Sequence, residues 1–134
     1  MQRTLPQRTD GLAEPFFQGC REGVLRLQFC ADCHTWQFYP RSVCVSCGGT
    51  PVWKEASGSG SIASYTVVRR AVSSAYEAPY VVALVDLSEG PRLMASIVNC
   101  RPEAVAVGAD VFVAFDKWSD TITLPVFRLI QQEI

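Results

Sequence analysis

Cys30-Ala-Asp-Cys33 and Cys44-Val-Ser-Cys47 stand ten residues apart in this chain of 134 residues. Each Cys-x-x-Cys pair can direct two thiolates toward one point, and two pairs complete a tetrahedron around a divalent ion. Four sulfur ligands favour zinc, with iron as the alternative metal. Clustered pairs are also the wrong pattern for the disulfides of a small secreted scaffold. The spacing therefore predicts a closed, structural zinc site held by Cys30, Cys33, Cys44 and Cys47.

Short strand patterns surround the two pairs. Residues 24–29 alternate with period two, which places Leu25, Leu27 and Phe29 on an apolar face and Gln28 on the polar one. Further short strands are expected at 35–39 and 52–56. We call the loop that carries one Cys-x-x-Cys pair a knuckle. A chain in which two knuckles alternate with three short strands is typical of a rubredoxin-like zinc ribbon. About 30 residues bury too little surface to fold alone, so the metal is expected to supply folding energy.

The remainder of the chain divides on either side of this ribbon. A short helix is predicted over 15–22, because Pro15 suits a first helical turn and Gly23 suits a helix end. Ser57-Gly58-Ser59-Gly60 indicates a flexible break. We therefore predict a mainly β chain in three parts: an N-terminal arm with a short helix (1–23), a zinc ribbon (24–57) and a barrel (58–134).

Five strand patterns follow the break, and an OB-type arrangement accounts for their spacing. The gap at 99–109 is the longest and has room for a helical turn between the third and fourth strands, as in a five-stranded OB-fold barrel. The expected strands are 61–70, 80–87, 92–98, 110–115 and 121–130.

Composition excludes several classes of protein. Hydrophobic residues make up 49% and charged residues 19% of the chain, so a packed core is expected. The net charge of −1 and the lack of a basic stripe argue against a nucleic-acid binder. No apolar run approaches the roughly 20 residues needed to cross a bilayer, and the polar first ten residues do not lead into a signal peptide. A cytoplasmic protein is the resulting expectation.

Taken together, the cysteine pairs and the sequence of the predicted barrel resemble the family of zinc-ribbon plus OB-fold proteins once called domain of unknown function 35. The resemblance runs from about residue 15 to about residue 129. His34 departs from the pattern, because many knuckles carry glycine there, although histidine tolerates a left-handed backbone better than most residues. The stretches that carry the resemblance are the two cysteine pairs, Phe38-Tyr39-Pro40-Arg41, Pro79 to Leu87, Gly90-Pro91-Arg92-Leu93-Met94 and Leu124-Pro125-Val126-Phe127-Arg128.

This resemblance implies a role as well as a fold. Members of the family are accessory subunits that bind thiolase-like enzymes acting on acyl-CoA: thiolases, aldolases or acyltransferases, in some cases with a MaoC-type hydratase. The chemistry lies on the partner, and the small subunit holds the complex together and helps to enclose the acyl-CoA. The resemblance therefore implies a non-catalytic scaffold subunit whose zinc is structural.

Single residues add weaker hypotheses. His34, the only histidine, is expected to be an exposed knuckle residue rather than a ligand or a base. Cys20 and Cys100 are expected to be small buried hydrophobes rather than nucleophiles. Arg69 and Arg70 are candidates for binding the phosphates of CoA. In a strand they would point to opposite faces, so at most one would serve a given site.

Five aromatic residues of the barrel are candidates for an outward-facing interface patch, although the sequence does not separate them from the core. They are Tyr76, Tyr80, Phe112, Trp118 and Phe127.

Two other functions stay open at this point. Aromatic residues on an OB barrel can stack on the bases of a single-stranded nucleic acid. The chain can also be read as a stand-alone acyl-CoA-binding protein. Salt-sensitive binding of an oligonucleotide would indicate the first, and binding of CoA by the isolated chain the second.

Overall fold

The computed structural model describes residues 3–6 and 11–130. Over these residues the chain forms one α-helix, eight strands and one 3-10 turn. In chain order they are α1 (Glu14–Glu22), β1 (Arg26–Phe29), β2 (Trp36–Gln37), β3 (Val52–Glu55), β4 (Ser59–Val68), β5 (Tyr80–Leu87), β6 (Arg92–Val98), the 3-10 turn (Pro102–Ala104), β7 (Asp110–Lys117) and β8 (Thr123–Leu129).

Helix α1 confirms the helix predicted from Pro15 and Gly23. Pro15 lies in the first turn, and Gly23 ends the helix in the left-handed conformation with φ 79°, which glycine adopts without steric cost. The helix buries Phe16, Phe17 and Cys20 and packs against β1, β7 and β8. It therefore bridges the ribbon and the barrel.

The ribbon is a three-stranded antiparallel sheet in the order β2-β1-β3. The cysteine pairs follow β1 and precede β3, so both knuckles lie at one end of the sheet. Gln28 does not lie on an exposed polar face as predicted, because only 3% of its surface is accessible. Its amide group is instead hydrogen-bonded inside the ribbon, as described below.

Strands β4 to β8 form the predicted five-stranded barrel. The barrel closes in the order β4-β5-β6-β8-β7, with β4 paired to β7. Among the strand pairs of the barrel, β6 and β8 alone are parallel. The 3-10 turn lies between β6 and β7, in the long gap that the sequence predicts. Closure leaves no unpaired edge of the kind that an open sheet exposes.

The barrel interior is filled by alternating residues of its strands, among them Ile62, Val85 and Val111. Phe127 also belongs to this core and has no accessible surface, so its assignment to an outward patch is wrong. Phe112, by contrast, is exposed, as that assignment requires.

The two modules meet at a short junction. The last ribbon strand ends at Glu55 and the first barrel strand begins at Ser59. The Ala56 amide donates to the Leu25 carbonyl at 2.8 Å, and the Ser57 amide donates to Glu89 Oε2 at 2.9 Å. The domain boundary placed after residue 57 falls in this junction and stays a prediction.

The part of the predicted N-terminal arm that precedes the helix falls partly outside the described residues. Where it is described, Arg3 contacts the barrel through a hydrogen bond to the Ala75 carbonyl at 3.3 Å. Helix α1 has nine residues, and the described ranges contain no helical segment with the length and hydrophobicity of a membrane span.

Candidate functional site

The two cysteine pairs are held by loops of matching geometry. The amide of His34 donates to the Cys30 carbonyl at 2.7 Å, and the amide of Gly48 donates to the Cys44 carbonyl at 2.9 Å. Both donors have a left-handed backbone, with φ of 61° at His34 and 76° at Gly48. His34 thus takes the place that glycine occupies in the second knuckle, as its tolerance of this conformation predicts.

The four cysteine sulfurs converge on one point. All four Sγ atoms lie within 4.8 Å of one another, with Cys30 and Cys47 at 3.5 Å and Cys33 and Cys44 at 3.6 Å. Four sulfurs in a tetrahedron about 2.3 Å from a zinc ion are separated by about 3.8 Å. The donor set and its spacing therefore fit a single zinc ion.

Ionisation of the thiols is uneven before a metal binds. A hydrogen bond with the Thr35 hydroxyl lowers the pKa of Cys33 to about 6. The amide of Gly49 lowers the pKa of Cys47, but hydrogen bonds with Cys30 and Cys33 outweigh it and raise that pKa to about 12. Crowded thiols therefore share protons, which zinc must displace when it binds.

The other two cysteines are separate from this cluster. Cys20 is 1% exposed, and burial raises the pKa of its thiol to about 12. Cys100, which was expected to be buried like Cys20, is only half-buried, and this partial burial raises the pKa of its thiol. A protonated thiol is a poor nucleophile, so neither residue has the electrostatic setting of a catalytic cysteine.

A hydrogen-bonded pair of buried glutamines, which sequence patterns did not reveal, supports the second knuckle. Gln37 Nε2 donates to Gln28 Oε1 at 2.7 Å. The same Gln28 oxygen accepts from the Arg41 amide at 2.8 Å, and Gln28 Nε2 donates to the Arg41 carbonyl at 2.8 Å. Gln37 Oε1 accepts from the Val45 amide at 3.0 Å. The pair thus fixes residues 38–45, which we call the ribbon loop.

The ribbon loop presents apolar side chains to solvent. Tyr39 is 59% and Val45 60% exposed, and Val43 is exposed as well. Val52 on β3 is a further exposed apolar residue of the ribbon. Large exposed apolar groups on a small module are typical of a protein interface.

Arg69 and Arg70 lie outside the strand in which they were predicted. Strand β4 ends at Val68, so both arginines belong to the loop of residues 69–79 that leads to β5, and both are exposed. The expected strand therefore ends before both arginines, and the argument from a strand that they point to opposite faces no longer applies. Both remain candidates for binding an anionic group.

A cleft of about 650 Å³ lies where helix α1, the ribbon loop and the barrel meet. Its walls include Phe16 of the helix, Phe38 of the ribbon, and Met94 and Leu124 of the barrel. Tyr76, Tyr80 and Trp118 of the predicted aromatic patch also line it. Sequence patterns did not indicate this cleft, because its walls come from segments far apart in the chain.

The ribbon and the closed barrel together define the class of zinc-ribbon OB-fold proteins. A model described as the rubredoxin-like zinc ribbon domain of ChsH2 matches residues 17–52, and one described as the C-terminal OB-fold domain of ChsH2 matches residues 53–116. The chain therefore belongs to the ChsH2 family, also called DUF35, and its cofactor is the structural zinc of the ribbon.

Known relatives carry two kinds of name. A probable enoyl-CoA hydratase alpha subunit of Thermomonospora curvata is 37% identical over 115 residues, which cover 84% of this chain and 36% of the relative. A DUF35 domain-containing scaffold protein of Methanocaldococcus jannaschii is 37% identical over 89 residues, which cover 64% of this chain and 63% of the relative. The chain thus spans about a third of the first relative and somewhat under two thirds of the second.

A solved structure covers almost the whole chain. One chain of an assembly named the Ltp2-ChsH2(DUF35) aldolase is similar with a TM-score of 0.85 and 34% sequence identity, over 93% of this chain and 98% of the other. The similarity therefore extends over the helix, the ribbon and the barrel together.

Proposed function

We propose that this chain is a non-catalytic scaffold subunit that binds a thiolase-like enzyme acting on acyl-CoA and forms part of its acyl-CoA channel. The similarity to the DUF35 chain of the Ltp2-ChsH2 aldolase carries this proposal, because it covers nearly all of both chains. The name scaffold protein, borne by an archaeal relative, supports the same role. A MaoC-type hydratase is a further partner consistent with the relative named a hydratase subunit.

Zinc in this role organises the docking surface. Cys30, Cys33, Cys44 and Cys47 bind the ion, as their sulfur distances support. A closed four-thiolate site has no position for substrate. The metal therefore stabilises the ribbon without taking part in a reaction.

The ribbon loop and helix α1 form the surface that binds the partner. The exposed apolar residues Tyr39, Val43 and Val45 supply the buried centre that a protein interface needs. Because the buried glutamines fix this loop, little conformational entropy is lost when it docks.

Catalysis is assigned to the partner. His34 lies on a metal knuckle and is exposed, and burial keeps the Cys20 and Cys100 thiols protonated. Arg69 and Arg70 are the residues we propose for the CoA phosphates. Their exposure on one loop supports this role, since guanidinium groups bind phosphate through paired hydrogen bonds.

Co-expression with thiolase-like enzymes tests the proposal. The tagged chain is expected to retain such an enzyme, and Val45→Asp in the ribbon loop is expected to weaken retention at least tenfold with the zinc content unchanged, by burying a charge at the interface. Val107→Asp is the matched control, because Val107 is equally exposed but lies beyond the 3-10 turn. Failure to retain any such enzyme, with a partner fully active alone, would refute the scaffold role.

The assembled complex tests the two arginines separately. Replacing Arg69 and Arg70 together by alanine is expected to raise KM for acyl-CoA about tenfold at low salt, with a smaller effect at high salt because salt screens charge contacts. Arg128→Ala, which removes an exposed arginine of β8, is the control. An unchanged KM would remove the two arginines from the site.

A further inference from the structure

The cleft of about 650 Å³ exists only because three parts of the molecule meet. Phe16 of helix α1 packs against Phe38 of the ribbon with ring centroids 5.2 Å apart, and together they form one wall. The outer face of the barrel forms the other, with Val82 on β5 and Met94 on β6. Its volume is within the range of small-molecule sites.

Charge at the cleft favours an uncharged ligand. Among the described residues, three side chains that carry a charge at neutral pH line it, namely Arg3, Glu77 and Asp116. Arg3 pairs with Asp116 at 3.5 Å, which leaves the carboxylate of Glu77 as the uncompensated charge among them. A phosphate-rich group would be repelled there, whereas an apolar chain or ring would contact the aromatic and aliphatic walls.

Arg3 lines this cleft beside two of its aromatic rings. Its guanidinium lies over the rings of Tyr76 at 4.7 Å and Trp118 at 4.8 Å, and it also bonds the Ala75 carbonyl at 3.3 Å. The Trp118 indole donates to Asp116 at 3.1 Å, which holds the ring and the carboxylate together. The Tyr76 and Trp118 rings and the Asp116 carboxylate form a cage for a cation, and the Arg3 guanidinium occupies this cage.

We propose that the cleft binds the apolar acyl portion of an acyl thioester and that the Arg3 side chain, which covers two of its rings, is a removable plug. The choice of an acyl group rests on the proposed function, while the apolar character of the site rests on its walls. The CoA portion stays outside the cleft, away from Glu77 and Asp116. Entry of the ligand displaces Arg3 from the Tyr76 and Trp118 rings.

A neutral fluorescent probe, N-phenyl-1-naphthylamine, tests the site on the zinc-loaded full chain. We expect saturable binding at one site, competed by the neutral chain alcohol dodecanol and not by CoA that lacks an acyl group. Competition by CoA as strong as that by dodecanol would overturn the proposal, and so would the absence of probe binding.

Matched variants locate the probe. Met94→Arg fills the cleft and is expected to weaken probe binding at least tenfold, whereas Val107→Arg, an equally exposed position outside the cleft, is expected to leave it unchanged. Arg3→Ala is expected to tighten binding about threefold to tenfold, because the contacts of the half-buried Arg3 cation with two rings no longer have to be broken. Arg92→Ala, which removes an arginine paired elsewhere with Asp86, controls for the change in charge.

Equal effects of Met94→Arg and Val107→Arg would overturn the site, and equal effects of Arg3→Ala and Arg92→Ala would overturn the plug. If the probe does not bind but Met94→Arg abolishes capture of the partner enzyme, the cleft is a protein interface and the proposal fails. The scaffold role would survive that result, because it is tested by capture of the partner rather than by binding of the probe.

Discussion

At the scale of single residues, the shape of the ribbon loop depends on two glutamines. Gln28 and Gln37 are both buried, and their amide groups bond each other, the Arg41 backbone and the Val45 amide. A buried amide is tolerated only when its donors and acceptors are paired. This pair satisfies backbone groups that would otherwise be left without partners beneath the second knuckle.

Replacing Gln28 by leucine tests this dependence. The change leaves the Arg41 amide and carbonyl without their partner and removes the shorter of the two hydrogen bonds that Gln37 Nε2 donates, so we expect a loss of about 1–3 kcal/mol in the free energy of unfolding. Chemical denaturation of the zinc-loaded protein measures it. Gln18→Leu, on the exposed face of α1, should change stability by less than about 0.5 kcal/mol. Equal effects of the two changes would show that the glutamine pair is dispensable.

At the scale of elements, helix α1 depends on a close approach to the chain that follows it. A Cβ atom on Gly19 would lie 2.7 Å from the Val24 carbonyl oxygen and 3.2 Å from Arg26 Cγ. The amide of Val24 donates to the Gly19 carbonyl at 2.8 Å. The helix end and the start of β1 are therefore joined at a point where no side chain fits.

Gly19→Ala should consequently destabilise the protein, although helix propensity alone predicts that alanine is the more stable residue. In an open helix this change stabilises by about 1 kcal/mol. Here the carbonyl of Val24 is backbone and cannot move aside freely, so we expect the thermal midpoint to fall, with a loss of about 1–3 kcal/mol. Gln18→Ala, one position earlier on the same helix, should not lower the midpoint. An unchanged or higher midpoint for Gly19→Ala would mean that the helix shifts without cost.

The ribbon depends on its metal, whereas the barrel does not. The ribbon has few buried apolar residues besides Leu25 and Leu27. The five barrel strands, by contrast, are joined into a closed ring by their own backbone hydrogen bonds. Metal binding at such a site is coupled to folding. Zinc thus stabilises one module of the two.

Removal of zinc by a chelator should unfold the ribbon and leave the barrel folded. Trp36 and Trp53 lie on ribbon strands, and Trp118 lies beside the barrel, so their indole NMR signals report on the two modules separately. We expect the first two signals to move to unfolded positions and the third to persist, with zinc restoring all three. Cys44→Ser should behave like the chelated protein, and Cys100→Ser like the untreated one. Persistence of all three signals would contradict a folding role for the metal.

At the scale of the whole molecule, the arrangement of the modules creates the cleft. Helix α1 contacts both modules, and Glu89 of the β5–β6 turn accepts from the Ser57 amide at the junction. The second oxygen of Glu89 is buried and has no partner among the described residues. Glu89 therefore bonds the linker at some cost in desolvation, a cost consistent with a role in fixing the junction.

Glu89→Ala is expected to loosen the junction without unfolding either module. The Ser57 amide loses its acceptor, so cleavage by subtilisin within residues 56–60 should accelerate about tenfold, since proteolysis follows local opening. Far-ultraviolet circular dichroism should stay unchanged. Glu103→Ala, on the exposed 3-10 turn, should leave the cleavage rate as it is. An unaltered rate for Glu89→Ala would show that other contacts hold the junction.

Features that depend on neighbouring residues could be predicted from the amino-acid sequence. The two Cys-x-x-Cys pairs specify a four-sulfur site because each pair needs only one local turn. The alternation of β5 and β6 specifies barrel strands, and Pro15 and Gly23 specify the ends of α1 through local backbone preferences. The fold class and the metal site could therefore be predicted from short stretches of sequence.

Which side chains share a surface became visible only in the folded chain. Gln28 is polar and was expected to face solvent, yet three other segments of the ribbon surround it. Phe127 points into the barrel rather than outward, and Arg69 lies beyond the end of its strand. Arg3 meets Trp118 across 115 positions of the chain. No local pattern encodes such contacts, because closing the long loops between them depends on the burial of the whole core.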